Sequence, residues 1–353
     1  MEDDSQGKHK ASDVRSRSAL LTVALFAGIC LGFMGAERVY LYNHGGAVAT
    51  GGLMRSRVAR SLGSKPANEL ERVLREVAPT GEVMIAISNM NLIHSESLTL
   101  WIQSLQRLPF KNWMVVAIDE QLRDYCKEKG INHYYRPVVI PGTQANTGDN
   151  HAISAMKFEI LEEFLQLGWD VLLSDVDIIT VQNPFDFLVR DSDVEGMSDG
   201  YDASTAYGEI YGVDDASMGW SRYAQGHKHM ALNSGLFWLK ANARTIRLMQ
   251  RIAKRVNTER QWDQSVYNQE IFNLAHGEYT SPQVSVRVMD IYLFINSKTL
   301  FKYVRKLPLD QQKLPVMMHM NYHPEKTERM KAALKYFVEG DKKALDAFPD
   351  GSM

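Results

Sequence analysis

Short apolar runs of strand length alternate with helical segments along this chain, and that alternation most narrows the folds open to it. Residues 83–87 (VMIAI), 113–118 (WMVVAI) and 171–179 (VLLSDVDII) show no polar face over most of their length. Each is expected as a strand buried on both sides. Between them lie a helix through Leu98, Trp101, Ile102 and Leu105, a second helix, a short run at 133–135, and a long helix over 151–167 behind the Gly/Asn/Thr-rich stretch 142–150. Strands alternating with helices predict βαβ units and a mainly parallel sheet in one α/β domain, with ligands at the carboxyl ends of the strands. Asn89 and Asp119 stand just past the first two runs, so each reads either as a ligand contact or as a turn and cap residue.

Asp175 and Asp177 interrupt the third run. At i and i+2 of one strand both side chains leave the same face. Two carboxylates so close among aliphatic neighbours repel each other and lose solvation. A divalent cation relieves both problems, and oxygen ligands suit Mg²⁺ or Mn²⁺. It would also neutralise the diphosphate that a sugar nucleotide gives up as leaving group. The other reading is a strand end whose acids bond backbone amides; the apolar setting and the Gln182-Asn183-Pro184-Phe185 stop favour the cation. A D-x-D-x-T phosphatase motif is set aside, because Ile179 stands where Thr is needed and the run is not the first strand.

The chain has 353 residues, 40 Lys+Arg against 42 Asp+Glu, a net charge of -2 and 45% apolar residues. That excludes a disordered tail protein and a strongly basic nucleic-acid binder, so no nucleic-acid partner is expected. Cys30 and Cys126 have no metal-ligand spacing and read as inert thiols, which excludes a small disulfide scaffold. Residues 19–36 (ALLTVALFAGICLGFMGA) carry no charge, and Lys8, Lys10, Arg15 and Arg17 precede them. The expected layout is a cytosolic tail (1–18), a transmembrane signal anchor (19–36), a stem (37–80) and one luminal domain (81–353). A cleaved signal peptide or a buried helix are the other readings of 19–36. Pro66 is expected to open an amphipathic helix bearing Leu70, Val73, Leu74 and Val77.

The stretches LLSDVDIITVQNPFDFL, RDSDVEGMSDG, AYG, MGWSRYA, NSGLFWLK, WDQSVYNQEIF, NSKTLFK and MHMNYHPEKTERM occur in order within roughly residues 82–352. They resemble the nucleotide-diphospho-sugar transferases of glycosyltransferase family 77, and within it the plant and green-algal reduced-residual-arabinose arabinosyltransferases. The resemblance implies a GT-A fold, a UDP-sugar donor and a divalent metal, usually Mn²⁺. It makes Asp175 and Asp177 the metal-binding D-x-D, with Asp177 the more direct ligand, and His319 a third ligand. Lys326 would pair with the departing diphosphate, at seven residues from His319 where relatives use six. Asn233 would reach the donor sugar, with Gly235 allowing close backbone approach. Asp263 and Gln264 would lie under the sugar ring, and Lys157 and Asp199 would contact the donor; Asn89 and Asp119 are further donor-site candidates on the strength of their strand-end positions alone. Taken as residues alone, Lys157 reads equally as a solvated helix lysine, and His323 with Lys326 as a solvated helix start.

The function so implied is retaining transfer of L-arabinofuranose from UDP-L-arabinofuranose to arabinosylated hydroxyproline of extensin-like glycoproteins, forming a β-1,2 linkage. The enzyme would be a Golgi type II membrane protein with its catalytic domain in the lumen. A retaining site needs no strong base, which suits Gln264 beneath the anomeric carbon; Asp263 as a nucleophile is the other arrangement. Two readings compete: a UDP-galactose or UDP-xylose transferase on cell-wall glycan or glycoprotein, and a catalytically silent glycan-binding paralogue. Tyr201, Tyr207, Tyr211, Trp220 and Tyr223 are candidates for stacking on the acceptor, or for packing. Oligomeric state has no signature here.

Overall fold

In the computed structural model, which describes residues 65–138, 149–211, 226–228, 231–272 and 281–350, the apolar runs pair into one sheet. Strands β1 (Glu82–Ser88), β2 (Trp113–Ala117), β3 (His133–Tyr135) and β4 (Asp170–Ser174) lie parallel in the order β4-β1-β2-β3. Downstream come β5 (Ile178–Thr180), β6 (Val194–Ser198), β7 (Glu209–Tyr211), β8 (Gly226–Lys228), β9 (Leu232–Leu239), β10 (Val286–Val288), β11 (Phe294–Asn296) and β12 (Met317–His319). The full sheet runs β10-β6-β9-β4-β1-β2-β3. Only β9 is reversed, antiparallel to β4 and β6. A second sheet, β11-β12-β5, stands apart, and β7 and β8 form a ribbon. This is a GT-A-like fold with a mixed, mostly parallel sheet, as expected.

Helices α1 (Glu69–Val77), α2 (Ser97–Gln106), α3 (Glu120–Glu128), α4 (Asp149–Gln166), α5 (Ala243–Thr258), α6 (Asp263–Phe272), α7 (Ser297–Lys302) and α8 (Lys326–Leu334) cover the sheets. Alternation along β4 and β9 divides the core into two layers. Leu172 and Trp238 join Met84 and Ala86 against Leu98, Trp101 and Leu105 of α2. Phe237 faces the other way and stacks on Tyr267 of α6 at 4.8 Å, which in turn meets Phe158 of α4 at 6.2 Å. A smaller core under the second sheet packs Ile179, Ile295 and Met318 against Phe301, Met330 and Ala333.

Three expectations need correction. The run 171–179 is not one strand: it leaves the large sheet at Ser174 and re-enters the small one at Ile178. The break carries Asp177 to the small sheet, where His319 and Lys326 lie against it, and leaves Asp175 at the end of the large one. Pro66 does not open the first helix; Asn68 caps it, accepting from Glu71 N, so α1 begins at Glu69. The folded domain also extends into the expected stem, because Leu70, Val73 and Leu74 are buried and Trp169 Nε1 donates to Ala78 O at 2.8 Å. The tail, the anchor at 19–36, most of the stem, Cys30, residues 142–148, Trp220 and Tyr223 lie outside the described residues. Among the described residues no helix is long and apolar enough to cross a membrane. Cys126 is buried and free, and burial pushes its thiol up to about 12.

Trp238 is fully buried, and its Nε1 donates at 3.0 Å to Glu82, itself held bidentate by Arg190. Trp238→Ala is expected to cost about 3–5 kcal/mol by cavity formation. Trp238→Phe removes one hydrogen bond while Arg190 still satisfies Glu82, and is expected to cost about 1–2 kcal/mol. Urea denaturation of both variants checks the order.

Candidate functional site

Five strands bring their polar residues to one edge of the large sheet. Asp119 follows β2, Asn89 follows β1, Asp175 follows β4 and Asp199 follows β6, all carboxyl ends of strands running the same way. The reversed strand β9 enters at this edge, so its first residues, Asn233, Ser234 and Gly235, fall between Asp175 and Asp199.

Backbone pairing fixes the two acids. Asp175 N donates to Gly235 O at 2.7 Å, one step beyond the β4–β9 ladder, while Asp177 O accepts from Met320 N at 3.0 Å beside β12. His319 ends β12 and Lys326 opens α8. Ligand atoms of Asp175, Asp177 and His319 all lie within 4.8 Å of one another. His319 Nε2 sits 3.0 Å from Asp177 Oδ1 and Lys326 Nζ 2.7 Å from Asp177 Oδ2. His319 Nδ1 is buried without a partner. Two carboxylates and one imidazole within this span form a donor set that could bind a divalent metal of the Mn²⁺ or Mg²⁺ kind. A Cβ on Gly235 would stand 2.3 Å from Asp175 Oδ2 and 2.9 Å from His319 Cε1, so glycine is required by close approach.

The charges are strongly coupled. Burial pushes the Asp175 carboxyl up, against the opposing pull of Lys157. Burial acts upward on Asp177 too, but His319 and Lys326 outweigh it and hold that carboxyl well below the ordinary range. Burial works downward on His319, yet Asp177 raises the net value; the same carboxylate raises Lys326 against its own burial.

Asp199 anchors a second group of side chains. Its Oδ1 accepts from Asn233 Nδ2 at 2.8 Å and Asn321 Nδ2 at 3.1 Å, and its Oδ2 from Gln264 Nε2 at 2.7 Å. A carboxylate only accepts, so each amide must turn its nitrogen inward. The oxygens of Asn233 and Gln264 therefore face the β9 backbone, taking Gly235 N at 2.8 Å and Ser234 N at 3.3 Å. Asp199 thus holds protein amides in this structure. Asp263 accepts from Ser234 Oγ at 3.0 Å and pairs with Lys157 at 2.7 Å. Lys157 and Asp263 are each about 4–5% exposed, so the solvated-lysine reading of Lys157 is wrong. Burial pushes Asp263 up, but Lys157 and Ser234 carry its carboxyl to a net value below the ordinary one.

The remaining candidates divide. Asp119 caps α3 through Leu122 N at 2.7 Å and also accepts from Met90 N at 2.8 Å, so its oxygens serve turn and cap chemistry. Asn89 keeps a buried Oδ1 without a partner beside it. His323 is buried, with Nδ1 2.9 Å from Ser297 Oγ, and is no solvated helix start; Lys326 is half-exposed but ion-paired. Asn321, Ser234 and Tyr322 were not anticipated. Asn321 had a signal, the first amide after the apolar run 316–318 and Met320, whereas nothing local marked the Tyr322 hydroxyl, which donates to Asp199 O at 2.9 Å.

A GT-A-like sheet with an Asp-Asp-His cluster at its ligand edge defines a glycosyltransferase class of site. The family of nucleotide-diphospho-sugar transferases matches residues 110–332. Arabinosyltransferase RRA2 of Arabidopsis thaliana is 45% identical over 284 residues, covering 80% of this chain and 66% of the relative. Arabinosyltransferase RRA1 of the same plant is 42% identical over 287 residues, covering 80% of this chain and 70% of the relative. The chain thus spans about two thirds of the length of these relatives. Mouse xyloside xylosyltransferase 1 in its apo form overlays with a TM-score of 0.39 and 12% identity, covering 68% of this chain and 98% of that one. The chain belongs to the nucleotide-diphospho-sugar transferase family, glycosyltransferase family 77, and is a glycosyltransferase enzyme whose close relatives are arabinosyltransferases.

Two predictions follow from the geometry. If the cluster holds a divalent cation, Gly235→Ala is expected to weaken its binding at least tenfold, read by calorimetry with Mn²⁺ and with Mg²⁺, because the added carbon displaces Asp175 and His319. Lys157→Met leaves Asp263 buried without its cation and is expected to destabilise the fold by about 3–5 kcal/mol at pH 7. In the wild type the Asp263 carboxyl is depressed, so its contribution is present above the unfolded value near 4 and lost as pH falls below it. In Lys157→Met the same carboxyl is raised, so the gap between the proteins should narrow between pH 7 and pH 4. Denaturation curves with an equal gap at both values would contradict the pairing.

Proposed function

We propose that this chain is a retaining, metal-dependent arabinosyltransferase that moves L-arabinofuranose from UDP-L-arabinofuranose to an arabinose already carried on hydroxyproline, forming a β-1,2 linkage in extensin-like glycoproteins. One observation carries the reading: the Asp175–Asp177–His319 cluster lies against the Asn233–Gly235 end of β9, beside Asp263 and Gln264. Metal, diphosphate and sugar contacts would then share one short stretch of sheet edge. The arabinosyltransferase names of the 42–45% identical relatives support the pentose donor.

In this reading Asp175, Asp177 and His319 hold Mn²⁺ or Mg²⁺, which supplies charge to the leaving diphosphate when bound. Lys326, half-exposed at the α8 start and paired with Asp177, would offer its ammonium to the same diphosphate. Gln264 and Asn233, fixed by Asp199, present a polar but weakly basic floor to the anomeric carbon. Asp263 is held as the partner of Lys157, which favours electrostatic support over nucleophilic attack. With no strong base on this floor, the departing phosphate oxygen accepts the proton of the acceptor hydroxyl. Asn89, with its unpartnered oxygen past β1, serves the uridine end, and Asp119 positions that turn. We further assign the chain to the Golgi membrane through the apolar run 19–36, with the stem and the domain in the lumen.

A donor screen on the full chain with Mn²⁺ and arabinosylated hydroxyproline peptide tests this. Transfer from UDP-L-arabinofuranose is expected, with Asp177→Asn or EDTA lowering the rate at least a hundredfold, about 3 kcal/mol in the barrier. Transfer from UDP-galactose or UDP-xylose alone would overturn the donor assignment, and turnover that survives EDTA would overturn the metal.

A further inference from the structure

A file of aromatic rings and one ammonium leads outward from Asp199. Tyr322 donates its hydroxyl to Asp199 O at 2.9 Å. Lys298 Nζ lies over the Tyr322 ring at 4.5 Å and over the Tyr201 ring at 5.3 Å. Tyr201 stacks on Tyr303 with centroids 5.8 Å apart and planes within 5°. Tyr303, directly after α7, ends the file with its side chain 39% exposed. The arrangement is held in place: Asn296 caps α7 through Thr299 N and donates to Gly200 O at 2.7 Å, tying that helix to the Asp199 turn.

The outermost ring leaves aromatic surface open at the end of the file, where a ring can stack on it. The position of the file along the sheet edge says what it meets. Asn89 and Asp119 stand past β1 and β2, the metal cluster past β4, and Asp199 past β6 on the far side of β9. A donor with its nucleotide over β1 and β2 and its sugar over β9 leaves the β6 side, where Tyr201 and α7 lie, to the second substrate. Sugar and pyrrolidine rings offer C–H faces that stack on tyrosine, and the Lys298 ammonium offers donors to hydroxyls.

We infer that Tyr303, Tyr201 and Lys298 form the acceptor subsite, on which the furanose ring next to the hydroxyproline, or the hydroxyproline ring itself, stacks while the terminal arabinose reaches the anomeric carbon. This rests on the arabinosyltransferase reading above and adds the residues that select its neutral, ring-rich acceptor.

The test uses the full chain, Mn²⁺ and an arabinosylated hydroxyproline peptide, with donor and acceptor KM measured separately. Tyr303→Ala and Tyr303→Leu are each expected to raise acceptor KM at least tenfold with donor KM within twofold, while Tyr303→Phe keeps the wild-type acceptor KM. Leucine supplies apolar bulk without a flat face, so an acceptor KM restored by Leu would reduce Tyr303 to packing and overturn the subsite. So would an acceptor KM unchanged in both variants, or a donor KM rising in parallel. Calorimetry of the peptide on the wild type and Tyr303→Leu reads the subsite without turnover, with tenfold weaker binding expected and equal binding contradicting it. A wild type that releases no UDP from any UDP-pentose would sink the reaction proposed above, and the calorimetric comparison would still judge the subsite.

Discussion

Two carboxylates within three residues, Asp177 buried and Asp175 partly so, need positive charge from elsewhere in the chain, and much of this fold is arranged to deliver it. Lys157 comes from α4, His319 from β12 and Lys326 from α8, elements far apart in sequence. Breaking a buried charge pair is costly, about 3–5 kcal/mol, while forming one returns little beyond its desolvation. Such a cluster therefore contributes less to stability than it demands in placement. The break between β4 and β5 meets that demand, since it hands the acids from the large sheet to the small one, where β12 and α8 bring their cations.

The alternating apolar runs made the parallel half of the sheet legible, because strands buried on both faces leave a period-free signature. Reversed β9 was not legible: its apolar residues, from Leu236 to Leu239, read the same in either direction. The break after Ser174 was hidden for a related reason, as Ile178 and Ile179 continue the apolar pattern into a different sheet. The acid pair and the family resemblance named residues that the structure brings to one end of the sheet. The contacts among them were not legible, since Asp199 meets Asn233, Gln264 and Asn321 across 34, 65 and 122 residues of chain. Lys157 lies between Met156 and Phe158, both buried, and that apolar flank was the local sign that its side chain turns inward.

The step from His319 to Lys326 is one residue longer than the spacing the resemblance leads one to expect. Its geometry absorbs the difference. Residues 320–325 form no regular element, and α8 then opens with Lys326 itself, whose ammonium reaches Asp177 at 2.7 Å. Reach here depends on where the helix begins, and a motif defined only by residue count misses that.

The Asp199 carboxylate has a consequence for the thermodynamics of substrate capture. Because it dictates which way three amides point, the floor of the site holds a single pattern of donors and acceptors before any ligand arrives. Side-chain rotamer entropy, roughly 0.5–1.5 kcal/mol for each group frozen on binding, is already spent during folding. Under the proposed reaction, a sugar bound there would meet dipoles that need not reorganise as charge develops. The fold thus shifts part of the entropic cost of recognition from the encounter to its own folding.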